Sequence, residues 1–164
     1  MQGTLLGLVG LLGCGDGVPP EELGGAYEVT ERLEGTCDGS LEPGTPSPGE
    51  RYFQLEYTEE PSERLEYFTC SGPSDCSSTA DQSRSFGPAG RAWRGSLATS
   101  STGCVLRYRQ RELFPTDEGV EIIQTVYQET DDSLVGDECN DFVARDRGRR
   151  MPCVSIVETR ARSL

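Results

Sequence analysis

The chain has 164 residues, a net charge of −13, seven cysteines, and neither lysine nor histidine. Without those two residue types there is no Ser-His-Asp or Cys-His pair, no histidine-ligated metal, no Schiff-base lysine and no phosphate-loop lysine. The strong negative charge argues against nucleic acid as a partner, because phosphate binding needs a surplus of basic side chains, and acid–base chemistry is left to carboxylates and tyrosines.

In chain order the first distinctive stretch is TLLGLVGLLGC, from Thr4 to Cys14. Residues 3–13 carry no charge and are mostly Leu and Gly. As a helix this run reaches about 16 Å, roughly half the hydrocarbon core of a bilayer, which is too short to span it but suits the apolar region of an export signal. The run ends at Leu11-Leu12-Gly13-Cys14. These residues resemble the lipobox of bacterial lipoproteins, with Leu11, Gly13 and Cys14 matching. The resemblance implies that residues 1–13 are a signal peptide cut after Gly13 and that Cys14 carries a diacylglycerol. The membrane is then a partner through the N-terminal lipid. Gly15 rather than Asp follows Cys14, which in that family points to the outer membrane, facing the periplasm or the cell surface.

Cysteine arithmetic agrees with this reading. Setting Cys14 aside leaves Cys37, Cys70, Cys76, Cys104, Cys139 and Cys153, an even number suited to three disulfides in an oxidising compartment. No CxxC pair exists, so neither a metal nor another cofactor is expected. Pairing Cys139 with Cys153 would close a loop of about 15 residues and dock a late helix onto the sheet. For the other four, locality favours Cys70 with Cys76, leaving Cys37 with Cys104. The alternative is Cys37 with Cys70 and Cys76 with Cys104.

Residues 14–24 comprise the lipidated Cys and a Gly-, Pro- and acid-rich stretch that reads as a flexible tether. The folded domain is expected over 25–164. Residues 26–33 (AYEVTERL) partly alternate, with Tyr27, Val29 and Leu33 on one face and Glu28, Thr30 and Arg32 on the other. Residues 35–49 are loop. Further strands are predicted over 52–58, 64–70, 92–99, 104–113, 120–130 and 151–160, with a short edge strand ending near Phe86. One helix is predicted over 137–147, capped by Asp137 and stopped by Gly148.

The fold class is therefore all-β: a single antiparallel meander, barrel or sandwich, with one short helix before the last strand. The opening Gly25-Ala26-Tyr27 and that late helix resemble lipocalin-type barrels, which open with Gly-x-Trp. If the interior is a closed apolar cavity of roughly several hundred Å3, a small ligand is favoured; a filled core favours surface contacts.

Three charged clusters stand out. Arg107, Arg109 and Arg111 share one face of a strand, opposite Cys104, Leu106 and Tyr108. They read either as a solvated row paired with acids on the next strand, such as Glu121, or as a row lining a cavity for an anionic ligand. Asp131, Asp132, Asp137, Glu138 and Asp141 lack the EF-hand pattern and read as a solvated loop. Arg145, Arg147, Arg149 and Arg150 read as a helix C-terminus complementing its dipole, or as a contact for anionic headgroups or an acidic partner. No pair of carboxylates is singled out by spacing, so no catalytic residue is assigned. The leading expectation is a lipid-anchored envelope protein acting as a binding or structural module, with a small ligand or an envelope protein as its partner. The alternative is a carboxylate-dependent hydrolase of the periplasm or cell surface.

Overall fold

The computed structural model describes residues 19–164. The signal segment, the lipobox and Cys14 lie outside these residues.

The strands are β1 (Gly25–Gly35), β2 (Glu42–Pro43), β3 (Tyr52–Thr58), β4 (Arg64–Gly72), β5 (Asp75–Cys76), β6 (Gly87–Ala89), β7 (Ala92–Ser101), β8 (Val105–Thr116), β9 (Gly119–Thr130) and β10 (Cys153–Ser163). They form one antiparallel sheet in the order β5-β4-β3-β1-β10-β9-β8-β7-β6, with β2 added on β1. Apart from the two-residue β2 and β5, each strand lies beside its sequence neighbour, and the last strand pairs with the first. The two ends of the sheet meet at Leu65 and Phe86, whose backbones exchange hydrogen bonds of 2.8 and 2.9 Å. The meander is thus closed as a barrel rather than layered as a sandwich. Closure needs a glycine on β7: a Cβ at Gly95 would sit 2.3 Å from the Ser85 carbonyl oxygen.

One end of the barrel is filled. Phe53, Leu55, Leu65, Phe86, Leu113 and Val120 are almost fully buried there, as expected for a small barrel whose inward positions fill its interior. The rings of Tyr27, Phe53 and Tyr67 stack across β1, β3 and β4 at centroid distances of 5.2 and 5.1 Å. Leu23, in a 3-10 turn over Pro20–Leu23, joins the same core. The buried Tyr27 hydroxyl donates to its carbonyl at 2.8 Å, and burial pushes the Tyr27 phenol above its usual range. The folded unit therefore reaches back into the stretch read from sequence as tether.

The helix α1 spans Asp141–Arg147 and precedes β10. Its cap is Asn140, not Asp137: the Asn140 amide oxygen accepts the Val143 N–H at 3.0 Å while its NH2 donates to the Asp137 carbonyl. Residues Gly136–Glu138 form a separate 3-10 turn. Gly148, with φ 46°, ends the helix. The helix lies against the outer face of the barrel, where Ala98, Leu106, Ala144 and Met151 make a second small core. The helix thus buries Leu106 on the outer face of β8.

All six cysteines of the domain are paired, one pair as locality favours and two pairs otherwise. Cys70 bonds Cys76 across β4 and β5. Cys139 bonds Cys104 rather than Cys153, and Cys37 bonds Cys153 rather than Cys104. Strand pairing explains both corrections. Gly35 pairs with Ile156, so the chain leaving β1 brings Cys37 alongside Cys153. At the other side the Asp131 N–H donates to the Cys104 carbonyl at 3.1 Å, so the segment leaving β9 starts beside Cys104 and delivers Cys139 to it.

Candidate anion-binding site

The interior above the apolar plug is not filled. A cavity of about 170 Å3 opens at the other end of the barrel. Its wall includes four arginines, Arg32, Arg84, Arg109 and Arg111, and one carboxylate, Glu50. In a chain of net charge −13 this is a concentrated positive pocket. The interior is therefore neither the apolar cavity nor the filled core set out from sequence.

The arginine row of β8 enters this mouth by depth. Arg107 is exposed at the rim and donates to the Gln128 side-chain oxygen, its cross-strand neighbour, at 2.7 and 2.9 Å. Arg109 is half-buried, and its Nε is enclosed without a hydrogen-bond partner. Arg111 is buried at 8% exposure. Its Nη1 donates to the Arg84 carbonyl at 2.9 Å, and its guanidinium lies 5.0 Å from the ring centroids of both Tyr67 and Phe86. Burial lowers the Arg111 guanidinium to about 10, with Arg84 and Arg109 adding to the effect against Tyr67 and Asp81. It stays charged at neutral pH.

The solvated-row reading is thus wrong for Arg109 and Arg111. Glu121, the expected partner, faces outward and pairs with Arg160, which also bonds Glu31 and so ties β9, β10 and β1 together. Among the described residues, neither Arg109 nor Arg111 has an acid within ion-pair distance. Two guanidinium groups in a recess without counter-ions are unfavourable as they stand. An oxyanion is the ligand that satisfies them, since the guanidinium fork matches carboxylate and phosphate oxygens.

The sequence did not reveal the rest of this wall. Simple alternation sets Arg32 on the face of Glu28 and Thr30, opposite Val29, but a bulge between Val29 and Glu31 resets the alternation and brings Arg32 into the mouth beside Val29. There Arg32 pairs with Glu34 and, at 3.3 Å, with Glu50. Arg84 comes from the polar connection before β6 and pairs with Asp81 at 3.2 Å and Glu50 at 3.6 Å. Burial pushes the Glu50 carboxyl up, but Arg32, Ser47 and Arg84 outweigh this and hold it below the usual carboxylate range. Gln124, opposite Arg111 on β9, also faces the cavity. It had a legible signal, as the polar break in the inward series Val120, Ile122, Gln124, Val126.

Several residues of the other charged clusters serve the fold. Arg147 holds α1 to the end of β9 through Glu129 and Asp131. Arg150 caps the helix by donating to the Asp146 carbonyl at 2.6 Å and pairs with its carboxylate, whereas Arg145 and Arg149 are exposed. Asp141 accepts hydrogen bonds from the Ser100 N–H and hydroxyl. Among the described residues no three Cys, Asp or Glu side chains converge as metal ligands. Compared with protein-family models, curated proteins and solved structures, the chain matches none.

Proposed function

We propose that this protein is a lipid-anchored binding module of the cell envelope, without catalysis of its own, that takes up a small anion in the mouth of its barrel. The observation that carries the reading is the pair Arg109 and Arg111, which face an open recess without an acid partner among the described residues. A recess of about 170 Å3 suits a small polar molecule rather than a drug-sized one, whose pockets run to roughly 300–1,000 Å3.

The anchor rests on the Leu11-Leu12-Gly13-Cys14 resemblance and on the even cysteine count that remains once Cys14 is set aside. Chain length then orients the barrel. Cys14 is five residues before Pro19 and so lies within about 18 Å of it. The turn that follows Pro19 packs under the plugged end of the barrel. The plugged end faces the membrane, and the mouth faces the aqueous side, where a soluble anion has access.

Metabolic labelling with a radioactive fatty acid tests the anchor. The wild type takes up label, and Cys14→Ser does not. An unlabelled wild type contradicts the lipoprotein reading while leaving the anion site to be judged by titration.

A further inference from the structure

Among the described residues, Glu50 is the one carboxylate in the wall of the mouth. It comes from a 3-10 turn, Pro48–Glu50, in the connection leading into β3, rather than from the barrel itself. Its Oε2 lies 3.3 Å from Arg32 Nη1 and its Oε1 lies 3.6 Å from Arg84 Nη2. Both separations exceed the roughly 2.7–2.9 Å of a well-made charge-assisted bond. Each arginine also has a second acid, Glu34 for Arg32 and Asp81 for Arg84. Glu50 is therefore able to leave without stranding a buried charge, which is the step that makes breaking such pairs costly. The deeper arginines have no acid to replace. The two positions adjoin: Arg84 and Arg111 both lie over the Tyr67 ring, 5.7 and 5.0 Å from its centroid.

Resting on the anion-binding reading above, we infer that the ligand is a small molecule with two anionic oxygen groups and that Glu50 stands in for one of them. One group sits on Arg109 and Arg111. The other takes the place of Glu50 between Arg32 and Arg84. A molecule with a single anionic group fills the inner position and leaves Glu50 where it is. The cavity size restricts the two groups to a short spacer, with Gln124 and Thr159 in the wall as neutral hydrogen-bonding groups.

The test is calorimetric titration of the purified protein with succinate, which has two carboxylates, and with propionate, which has one. Wild type is compared with Glu50→Gln. Glutamine keeps an oxygen acceptor for the Ser47 N–H, which Glu50 accepts at 3.4 Å. The expected result is that Glu50→Gln tightens succinate about tenfold more than it tightens propionate, as removal of a dedicated competitor requires. In the wild type, carbon-13 NMR of the Glu50 carboxylate supplies a second readout: its signal moves with saturating succinate and not with propionate. Equal gains for the two anions, no gain for either, or an unmoved Glu50 signal under saturating succinate overturns the two-headed ligand and leaves the inner anion site standing. If neither anion binds either protein, the two-headed ligand falls.

Discussion

Arg111 Nη1 donates to the main-chain carbonyl of Arg84 at 2.9 Å, so a side chain from one wall of the barrel grips the segment that closes it. Two residues further on, Phe86 makes the backbone bridge to Leu65, and its ring packs on the same guanidinium. Arg111 is thus both a strut for closure and one half of the proposed anion site. Arg109, which has no such bond, belongs to the site alone.

This division of labour separates two substitutions. Arg111→Ala removes the bond to Arg84 and the stacking on Tyr67 and Phe86, and is expected to cost roughly 2 kcal/mol or more of stability. Arg109→Gln is expected to change stability by less than about 1 kcal/mol. Urea unfolding of both variants checks the pair of values. Equal losses would mean that Arg109 is a structural residue too.

Gly95→Ala addresses closure without touching any charge. The new methyl group meets the Ser85 carbonyl oxygen, so the segment from Ser85 to Phe86 must move away from β7. Overpacking of this kind costs about 1–3 kcal/mol. Hydrogen exchange at the Leu65 and Phe86 amides reads the event locally, and both are expected to lose protection before the remaining barrel amides do.

The disulfides differ in the length of chain they close. Cys37–Cys153 spans 116 residues and Cys70–Cys76 spans 6. In the chain-entropy model the first stabilises by about 5 kcal/mol and the second by about 2 kcal/mol. Double substitution to alanine at each pair, followed by thermal unfolding, is expected to rank them in that order. Non-reducing peptide mapping is expected to yield the Cys37–Cys153 and Cys104–Cys139 linked peptides.

The clasp between α1 and β9 is pH-sensitive in a defined direction. Hydrogen bonds from Ser133 and Arg147 hold the Asp131 carboxyl below its usual range. A carboxyl depressed in the folded state contributes stability above its unfolded value and loses it as pH falls through the folded value. The helix is therefore expected to loosen as pH drops below about 4, seen as lower protection of its amides relative to their intrinsic exchange, and Arg147→Ala is expected to weaken that dependence while the Ser133 part of the shift remains.

Much of the sheet was legible in the sequence because inward and outward positions alternate along β3, β7 and β9, and β3 runs over the expected Tyr52–Thr58. The antiparallel meander follows from that alternation, and the helix before its last strand from its acidic start and the stop at Gly148; closure into a barrel rather than a sandwich was not legible. Features that depend on how distant strands meet were not legible. The bulge after Val29 turned Arg32 inward. The pairing of β1 with β10 decided where Cys37 finds its partner. For Arg109 and Arg111, period two placed them on one face but did not say which face was the interior. Helix α1 covers the opposite face and makes that choice.

Titration of the purified protein with succinate, phosphate and sulfate at low salt, in wild type and Arg109→Gln, tests the anion site most directly. The wild type is expected to show saturable one-to-one binding of at least one of these anions at pH 7. Arg109→Gln weakens it about tenfold with an unchanged melting temperature. Because Arg111 loses its proton near pH 10 and only its charged form holds an anion, affinity for sulfate, whose own charge is fixed over this range, is expected to hold from pH 7 to near that value and to fall above it. Absence of saturable binding for all three anions, or equal affinity in wild type and Arg109→Gln, would contradict the assignment of the barrel mouth as an anion site.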